Sequence, residues 1–307
     1  MRSRGLLTPL LIAVLPFFFL DIEPGPKSAV VQLYGFAHYF FFALAAWWLS
    51  GIFDSPKRSL PQQIFLIIIG IIFTGGPIEL IQPFFGRDAE WRDLEIDILG
   101  GLFGIAFWVP ARHQMRRSFR AGFQIAVLAA AILLFYAPVS TLLDMAIAEE
   151  HYPVLGDFET HLEAERWSSG EIVAGIACHG MHSLKVDLGI DRKKTYHGTT
   201  LLRSFGDWRS YTTLAFCLFN PEDRILTITV SIRDHEHNRR GGEYNDRFNR
   251  QFEMRPGWNN VAIPIVDILN APLERNLELD DLSEVVIFTV DPPEPRQMYL
   301  DYVRLIR

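Results

Sequence analysis

The sequence predicts two domains built for two solvents: an α-helical membrane bundle of about five transmembrane helices, then a C-terminal all-β jelly-roll sandwich. Three observations predict this. Long apolar runs are confined to the first half of the chain. The formal charge of −7 lies wholly in the second half: residues 1–149 hold 11 Lys and Arg against 11 Asp and Glu, whereas residues 150–307 hold 18 against 25. From residue 155 onward, short β-branched and aromatic runs alternate with turn signals. The expected boundaries are 1–145 for the helical domain, 146–154 for a linker and 155–307 for the sandwich. A net-acidic second half argues against a nucleic-acid partner, because phosphate rewards clustered Lys and Arg.

Five runs approach the roughly 20 apolar residues a helix needs to cross a bilayer. They lie near 5–20, 29–53, 61–82, 95–110 and 121–142. The first follows "MRSR", so a signal peptide is the alternative. No A-x-A-like site precedes "DIEPGP", and a retained helix is expected. The fourth run is the weakest, short and opening with Glu95 and Asp97. Taking the runs in order, one side receives "MRSR", "DSPKRS" and "ARHQMRRSFR", and the other receives "DIEPGPKSA", "FGRDAEWRD" and everything after residue 142. The positive-inside rule makes the first side cytoplasmic. The expectation is a multi-pass protein of the inner or plasma membrane, with a cytoplasmic N-terminus and an extracytoplasmic C-terminal domain.

The stretch "GPIELIQPFFGRDAEWRDLEIDILGGLFG", residues 76–104, places charge at the ends of two apolar runs. Glu79 and Gln82 share one side of a helix. Gly75, Gly76 and Pro77 should loosen that helix just before them. Arg87 falls in the outer loop, and Asp97 enters the fourth run. His38 sits about nine residues in from the outer end of the second run, roughly 14 Å deep at about 1.5 Å per residue. Ionisable groups at such depth face a bundle interior or a watery cleft. His38, Glu79, Gln82, Arg87 and Asp97 are therefore expected to line one cavity open to the outer face. The alternative is interfacial carboxylates paired with Arg87 or Arg92, and His38 bonded to nearby backbone. Gly100, Gly101 and Gly104 form a small-xxx-small pattern that lets helices approach closely.

These phrases come in an order that resembles the VanZ-like family of small membrane domains. "AHYFFFAL" carries His38, "ELIQ" carries Glu79 and Gln82, "GR" carries Gly86 and Arg87, and "DILGGLFG" carries Asp97 and Gly104. Gly101 stands where the family usually has Asn, and "DAEWRDLE" lengthens the interval before Asp97. The resemblance covers residues 30–108 and implies a cell-envelope setting rather than a particular reaction.

In the second half, strands are expected near "GDFETH", "EIVAGIA", "HSLKVDL", "TTLLRSF", "TTLAFCLFN", "RILTITVSIRD", "FNRQFEM", "NNVAIPIV", "EVVIFTV" and "QMYLDYVRLI". "NPED", "RPGWNN" and "DPPEP" are turn chemistry. A short helix is expected near "PIVDILNAP". Many short strands with almost no helical period predict a sandwich or jelly roll. Cys178 and Cys217 are too few for a disulfide framework, which leaves one bridge in an exported domain or two core thiols. No G-x-S-x-G, H-E-x-x-H, P-loop or Rossmann fingerprint occurs. Cys178 and His179 are adjacent, and neighbours on a strand point to opposite faces, which spoils a nucleophile–base pair.

The phrases "DFET", "HGMHSLKVDL", "GDWRSYTTLAFCLFNPED", "YNDRFNRQFEMRPGWNNVAIPI" and "MYLDYVRL" resemble carbohydrate-binding-module or galactose-binding-like jelly rolls over residues 155–307. A sugar ring needs polar groups for its hydroxyls and an aromatic face for its C–H side. The loop "SIRDHEHNRRGGEYNDRFNR" supplies both, through Asp234, His235, Tyr244, Asp246 and Arg247. The alternative is a solvated loop braced by its own ion pairs. Asp234, His235 and His237 would be an incomplete metal set. Trp208 and Trp258 are aromatic candidates for a sugar platform, with burial in the core as the competing fate. Related jelly rolls often hold a structural Ca²⁺ between their first and last strands, and Glu159 and Asp301 match those places.

Two functions follow as expectations. The first is a non-enzymatic envelope protein whose helices sit in the lipid bilayer and whose jelly roll holds an envelope glycan. The second is an enzyme or transporter acting on a lipid-linked envelope precursor through His38, Glu79, Arg87 and Asp97. A scaffold that docks a partner through "RDAEWRDLE" is a third.

Overall fold

The computed structural model describes residues 11, 14, 18, 27–53, 55, 57–85, 91–109, 114–191, 193–202 and 204–307, with backbone alone at 27–33 and 85. The chain divides into two compact units, Met1–Leu142 and Leu143–Arg307.

The first unit is helical. Its helices are α1 (Lys27–Phe53), α2 (Leu60–Ile81) and α3 (Trp91–Phe107), followed by α4 (Arg117–His151), whose last turns belong to the second unit. A proline in its first turn suits the start of α2, where Gln62 Oε1 also accepts the Ser59 N–H at 3.0 Å. The helix continues past Gly75, Gly76 and Pro77 and ends in a 3₁₀ turn, Gln82–Phe85. Among the described residues, three stretches are long and apolar enough to cross a membrane: Tyr34–Phe53, Leu60–Phe84 and Arg117–His151. The expected five are not all seen. Helix α3 has 17 residues and carries Asp93, Glu95 and Asp97. The expected run at 5–20 lies outside the described residues, apart from Leu11, Val14 and Phe18.

Around an apolar core that includes Phe42, Ile67 and Ile71, this unit both buries polar groups and exposes large apolar ones. Phe65, Phe73, Leu80, Ile132 and Leu133 are exposed, while His38, Gln82 and Asp97 are fully buried. The small-xxx-small pattern does what its spacing predicts. A Cβ at Gly100 would strike the Tyr39 carbonyl oxygen, and one at Gly104 would strike that of Ala43, so α3 lies directly against the backbone of α1.

Among its described residues, the second unit holds ten strands, all antiparallel in their pairing. One sheet runs β2 (Glu171–Ala174), β3 (His182–Leu188), β10 (Arg296–Ile306), β5 (Thr213–Asn220), β8 (Gly257–Pro264), and β1 (Val154–Gly156) also pairs with β10. The other runs β4 (Tyr196–Leu201), β9 (Leu282–Val290), β6 (Leu226–Asp234), β7 (Phe248–Met254). Period-two alternation sends Leu184, Val186, Leu214, Phe216, Met298 and Leu300 from one sheet to meet Ile228, Val230, Val285 and Ile287 from the other in a single core. Two short helices follow strands: α5 (His235–Arg239) after β6 and α6 (Ile265–Leu269) after β8.

Three expectations are corrected. The segment 146–151 continues α4 rather than forming a linker, because "MAIAEE" is rich in helix formers. Beyond Gly156, the last residue of β1, "GDFETH" is not a strand. Phe158 takes a positive φ of 59°, and Glu163 accepts the N–H groups of Asp157, Phe158 and Thr160, so the chain turns into a 3₁₀ helix at His161–Arg166. The strand expected at "TTLLRSF" ends at Leu201 and begins earlier, at Tyr196, where its register against β9 starts with Tyr196 opposite Val290.

Candidate functional site

Directly opposed residues in a sheet point to the same face. Glu171 pairs with Lys185, Lys185 with Tyr299, Tyr299 with Phe219 and Phe219 with Trp258. One straight row thus crosses all five strands of the β2-β3-β10-β5-β8 path on the face turned away from the core. The ring centroids of Phe219 lie 5.2 Å from Trp258 and 5.9 Å from Tyr299. At about 4.8 Å between strands, three aromatic positions make a strip roughly 10 Å long. Trp258 is 37% exposed, Phe219 half-buried and Tyr299 buried against the face, so the strip opens toward the β8 end. Polar side chains border it: Gln297, which donates to Asp187 Oδ1 at 2.9 Å, and Asn260, whose Oδ1 lies 3.4 Å from Cys217 Sγ. Trp258 was readable from sequence as a platform candidate. Phe219 and Tyr299 were not, because only strand register brings them into one row.

Trp208, the other aromatic candidate, is corrected. It is fully buried in the core, with its indole N–H donating to the Phe205 carbonyl at 3.3 Å, and no ligand can reach it.

The loop candidates separate into two groups. Asp234 is fully buried and accepts from Arg275 at 2.5 and 2.8 Å, and from the N–H groups of His237 and Glu278. Asp246 grips the same guanidinium at 2.7 and 2.8 Å. Burial raises the Asp234 pKa, but Arg275 and the two N–H donors hold it below its ordinary value, and Arg275 likewise holds Asp246 low. His235 Nδ1 lies 2.8 Å from Asp281 Oδ1, and buried His237 sits 3.0 Å from the Asp246 carbonyl. These residues brace the loop. Tyr244 and Arg247 instead line a pocket of about 280 Å³ with Asn249, Arg250 and Asp267. Tyr244 is exposed, the Arg247 guanidinium stacks 5.0 Å above its ring, and Asn249 donates to its hydroxyl at 2.6 Å.

Glu159 and Asp301 hold one loop between them. Glu159 Oε1 accepts the N–H groups of Met181 and His182 at 2.7 and 2.9 Å, and Asp301 Oδ2 accepts those of Cys178 and His179 at 2.6 and 2.9 Å. Cys178 forms a disulfide with Cys217, which resolves the cysteine alternatives. Against a calcium ion, this pair fits in part. Most of its oxygen capacity is taken by N–H donors, but the fully buried Asp301 Oδ1 has no hydrogen-bond partner among the described residues. Burial raises the Asp301 pKa despite its N–H donors.

In the helical unit, three of the five cluster residues come together as polar groups inside an apolar bundle. His38 Nδ1 lies 2.7 Å from Asp97 Oδ1, and Glu79 is buried beside them. Gln82 is fully buried and donates to the Phe18 carbonyl at 3.4 Å. Arg87 lies outside the described residues.

No family model matches the chain, and no curated protein matches it. Among solved structures, it is similar to a family 11 carbohydrate-binding module from Clostridium thermocellum in complex with a β-1,3-1,4-mixed-linked tetrasaccharide. That similarity has 18% identity and a TM-score of 0.38, over 50% of this chain and 94% of the module. An agarase matches at 15% identity and a TM-score of 0.38, over 50% of this chain and 26% of its own. A carbohydrate-binding module specific for non-crystalline cellulose matches at 15% identity and a TM-score of 0.35, over 51% of this chain and 93% of its own.

Proposed function

We propose that this chain is an integral membrane protein that displays a glycan-binding β-sandwich on the extracytoplasmic side of the cell membrane. The observation that carries the binding reading is the in-register row Glu171–Lys185–Tyr299–Phe219–Trp258. A strip of aromatic faces with polar groups at its border suits a polysaccharide chain, whose rings present C–H faces and hydroxyl edges. The helices with exposed apolar and buried polar side chains support the membrane reading. The Cys178–Cys217 disulfide supports an oxidising compartment for the sandwich, in agreement with the Arg and Lys bias of the opposite side. The VanZ-like character of residues 30–108 rests on their ordered phrases alone. No observation on the described residues favours the enzyme or transporter reading.

The test is binding of the detergent-purified full-length protein to a panel of soluble polysaccharides by affinity electrophoresis and calorimetry. Saturable binding is expected, weakened about tenfold or more by Trp258→Ala and by Phe219→Ala, since each removes roughly 1–2 kcal/mol of ring contact. Tyr244→Ala should leave it intact. No binding across neutral and charged polysaccharides refutes the reading. Loss on Tyr244→Ala with retention on Trp258→Ala moves the site to the loop pocket.

A structural Ca²⁺ at Glu159 and Asp301 is the second reading, favoured by the partnerless Asp301 Oδ1. An ion at about 100 times its dissociation constant would stabilise the folded sandwich by about 2.7 kcal/mol. Added Ca²⁺ should therefore raise the melting temperature of the wild type and not of Asp301→Asn. Identical melting with Ca²⁺ and with chelator removes the ion and leaves the two carboxylates as loop anchors.

A further inference from the structure

We infer that His38, Glu79 and Asp97 bind one divalent transition-metal ion inside the helical unit. Each of the three supplies a ligand atom from a different helix: α1, α2 and α3 respectively. These atoms lie within 4.8 Å of one another, and all three residues are buried. Two donors about 2.1 Å from a single ion can stand about 4.2 Å apart at most, so side-chain adjustments of under about 1 Å close the sphere.

A second observation points to a ligand. Asp97 is fully buried; its Oδ1 sits 2.7 Å from His38 Nδ1, but its Oδ2 has no hydrogen-bond partner among the described residues. That oxygen is aimed at Gly75 of α2, where any Cβ would collide with it. Gly75 stands four residues before Glu79, on the same helix face. The missing side chain at 75 therefore makes room for a carboxylate oxygen beside the helix face that carries Glu79.

Charge and donor type name the class of ion. Two carboxylates and one neutral imidazole sum to −2, which a divalent cation cancels in an environment where net charge is costly. An imidazole nitrogen with carboxylate oxygens suits Zn²⁺, Mn²⁺ or Fe²⁺ better than all-oxygen ions such as Ca²⁺. Asp93, whose Oδ2 is 3.8 Å from His38 Nε2, lies one turn before Asp97 and adds a third acid at the rim. The site is independent of glycan binding by the sandwich.

Co²⁺ serves as the probe, because its visible absorption reports coordination directly. The full-length protein is purified in detergent after chelator treatment, in an Asp301→Asn background to silence the sandwich pair, and titrated with Co²⁺ and then Zn²⁺. The expected result is one saturable equivalent of Co²⁺ with a ligand-field spectrum, displaced by Zn²⁺. Asp97→Asn and Glu79→Gln should weaken it by more than about tenfold, while Glu95→Gln, an exposed acid on α3, should not. Absence of a Co²⁺ spectrum in the chelator-treated parent protein overturns the proposal without reference to any variant. Unchanged binding in folded Asp97→Asn and Glu79→Gln overturns it too, and leaves the cluster as a proton shared between His38 and its acids.

Discussion

Arg275 places its guanidinium between Asp234 and Asp246, and so ties the end of β6 to the start of β7. Replacing it with leucine strands a fully buried carboxylate at Asp234, a loss of about 3–5 kcal/mol at neutral pH. The sign of the pH dependence follows from the depressed pKa of both acids. Their ordinary value is 3.8, so the stabilisation is present above about pH 4 and is lost as the pH falls through their lower folded values. The melting-temperature gap between wild type and Arg275→Leu should be wide at pH 7 and narrow below pH 4. A gap constant over that range would mean that the ion pairs do not set it. This knot also explains why a loop with an attractive set of polar residues offers so few of them to a ligand.

Glycines at contacting and open positions should respond in opposite ways. Gly104 faces the Ala43 carbonyl, so Gly104→Val must push α3 away from α1, at about 1–3 kcal/mol. Gly76 has no atom near its would-be Cβ, so Gly76→Ala should be neutral or stabilise α2 by up to about 1 kcal/mol through helix propensity alone. Thermal melting of both variants in one detergent checks the pair. Equal loss in both would mean that backbone flexibility, rather than close helix approach, is what these glycines supply. In the sandwich, strand β10 has the corresponding central role: it pairs with β1, β3 and β5 and carries both Tyr299 and Asp301.

At the scale of the whole molecule, the two units differ in what they turn outward: the helical unit exposes large apolar side chains such as Phe65, Phe73, Ile132 and Leu133, whereas the sandwich gathers Leu184, Phe216, Ile228 and Ile287 into one core. The Cys178–Cys217 disulfide joins positions 39 residues apart and anchors the loop held by Glu159 and Asp301 to β5. Its removal by Cys178→Ser with Cys217→Ser should cost about 2–4 kcal/mol. In the proposed orientation, protein taken from cells under alkylating conditions should show no labelled thiol until it is reduced. Full labelling without reductant would place the sandwich in a reducing compartment.

Sequence by itself determined the division into two domains, the position of three membrane-length helices, most of the strands and the close approach at Gly100 and Gly104. These are local consequences of composition, period and spacing, and each can be read within a window of a few turns or one strand. It also picked out His38, Glu79, Gln82 and Asp97, because a polar residue in an apolar run needs a reason nearby. What it could not give was register and direction. Whether Trp208 or Trp258 faces solvent depends on packing: Trp208 sits in a 3₁₀ turn folded into the core, and Trp258 on the outer face of β8. Phe219 and Tyr299 join Trp258 only because β10, β5 and β8 pair in one particular alignment. Asp234 and Asp246 look available until Arg275, 41 and 29 residues further on, closes over them. Contacts between distant segments are fixed by packing and strand pairing, so only the tertiary structure decided which of the noticed residues form a site and which hold the fold.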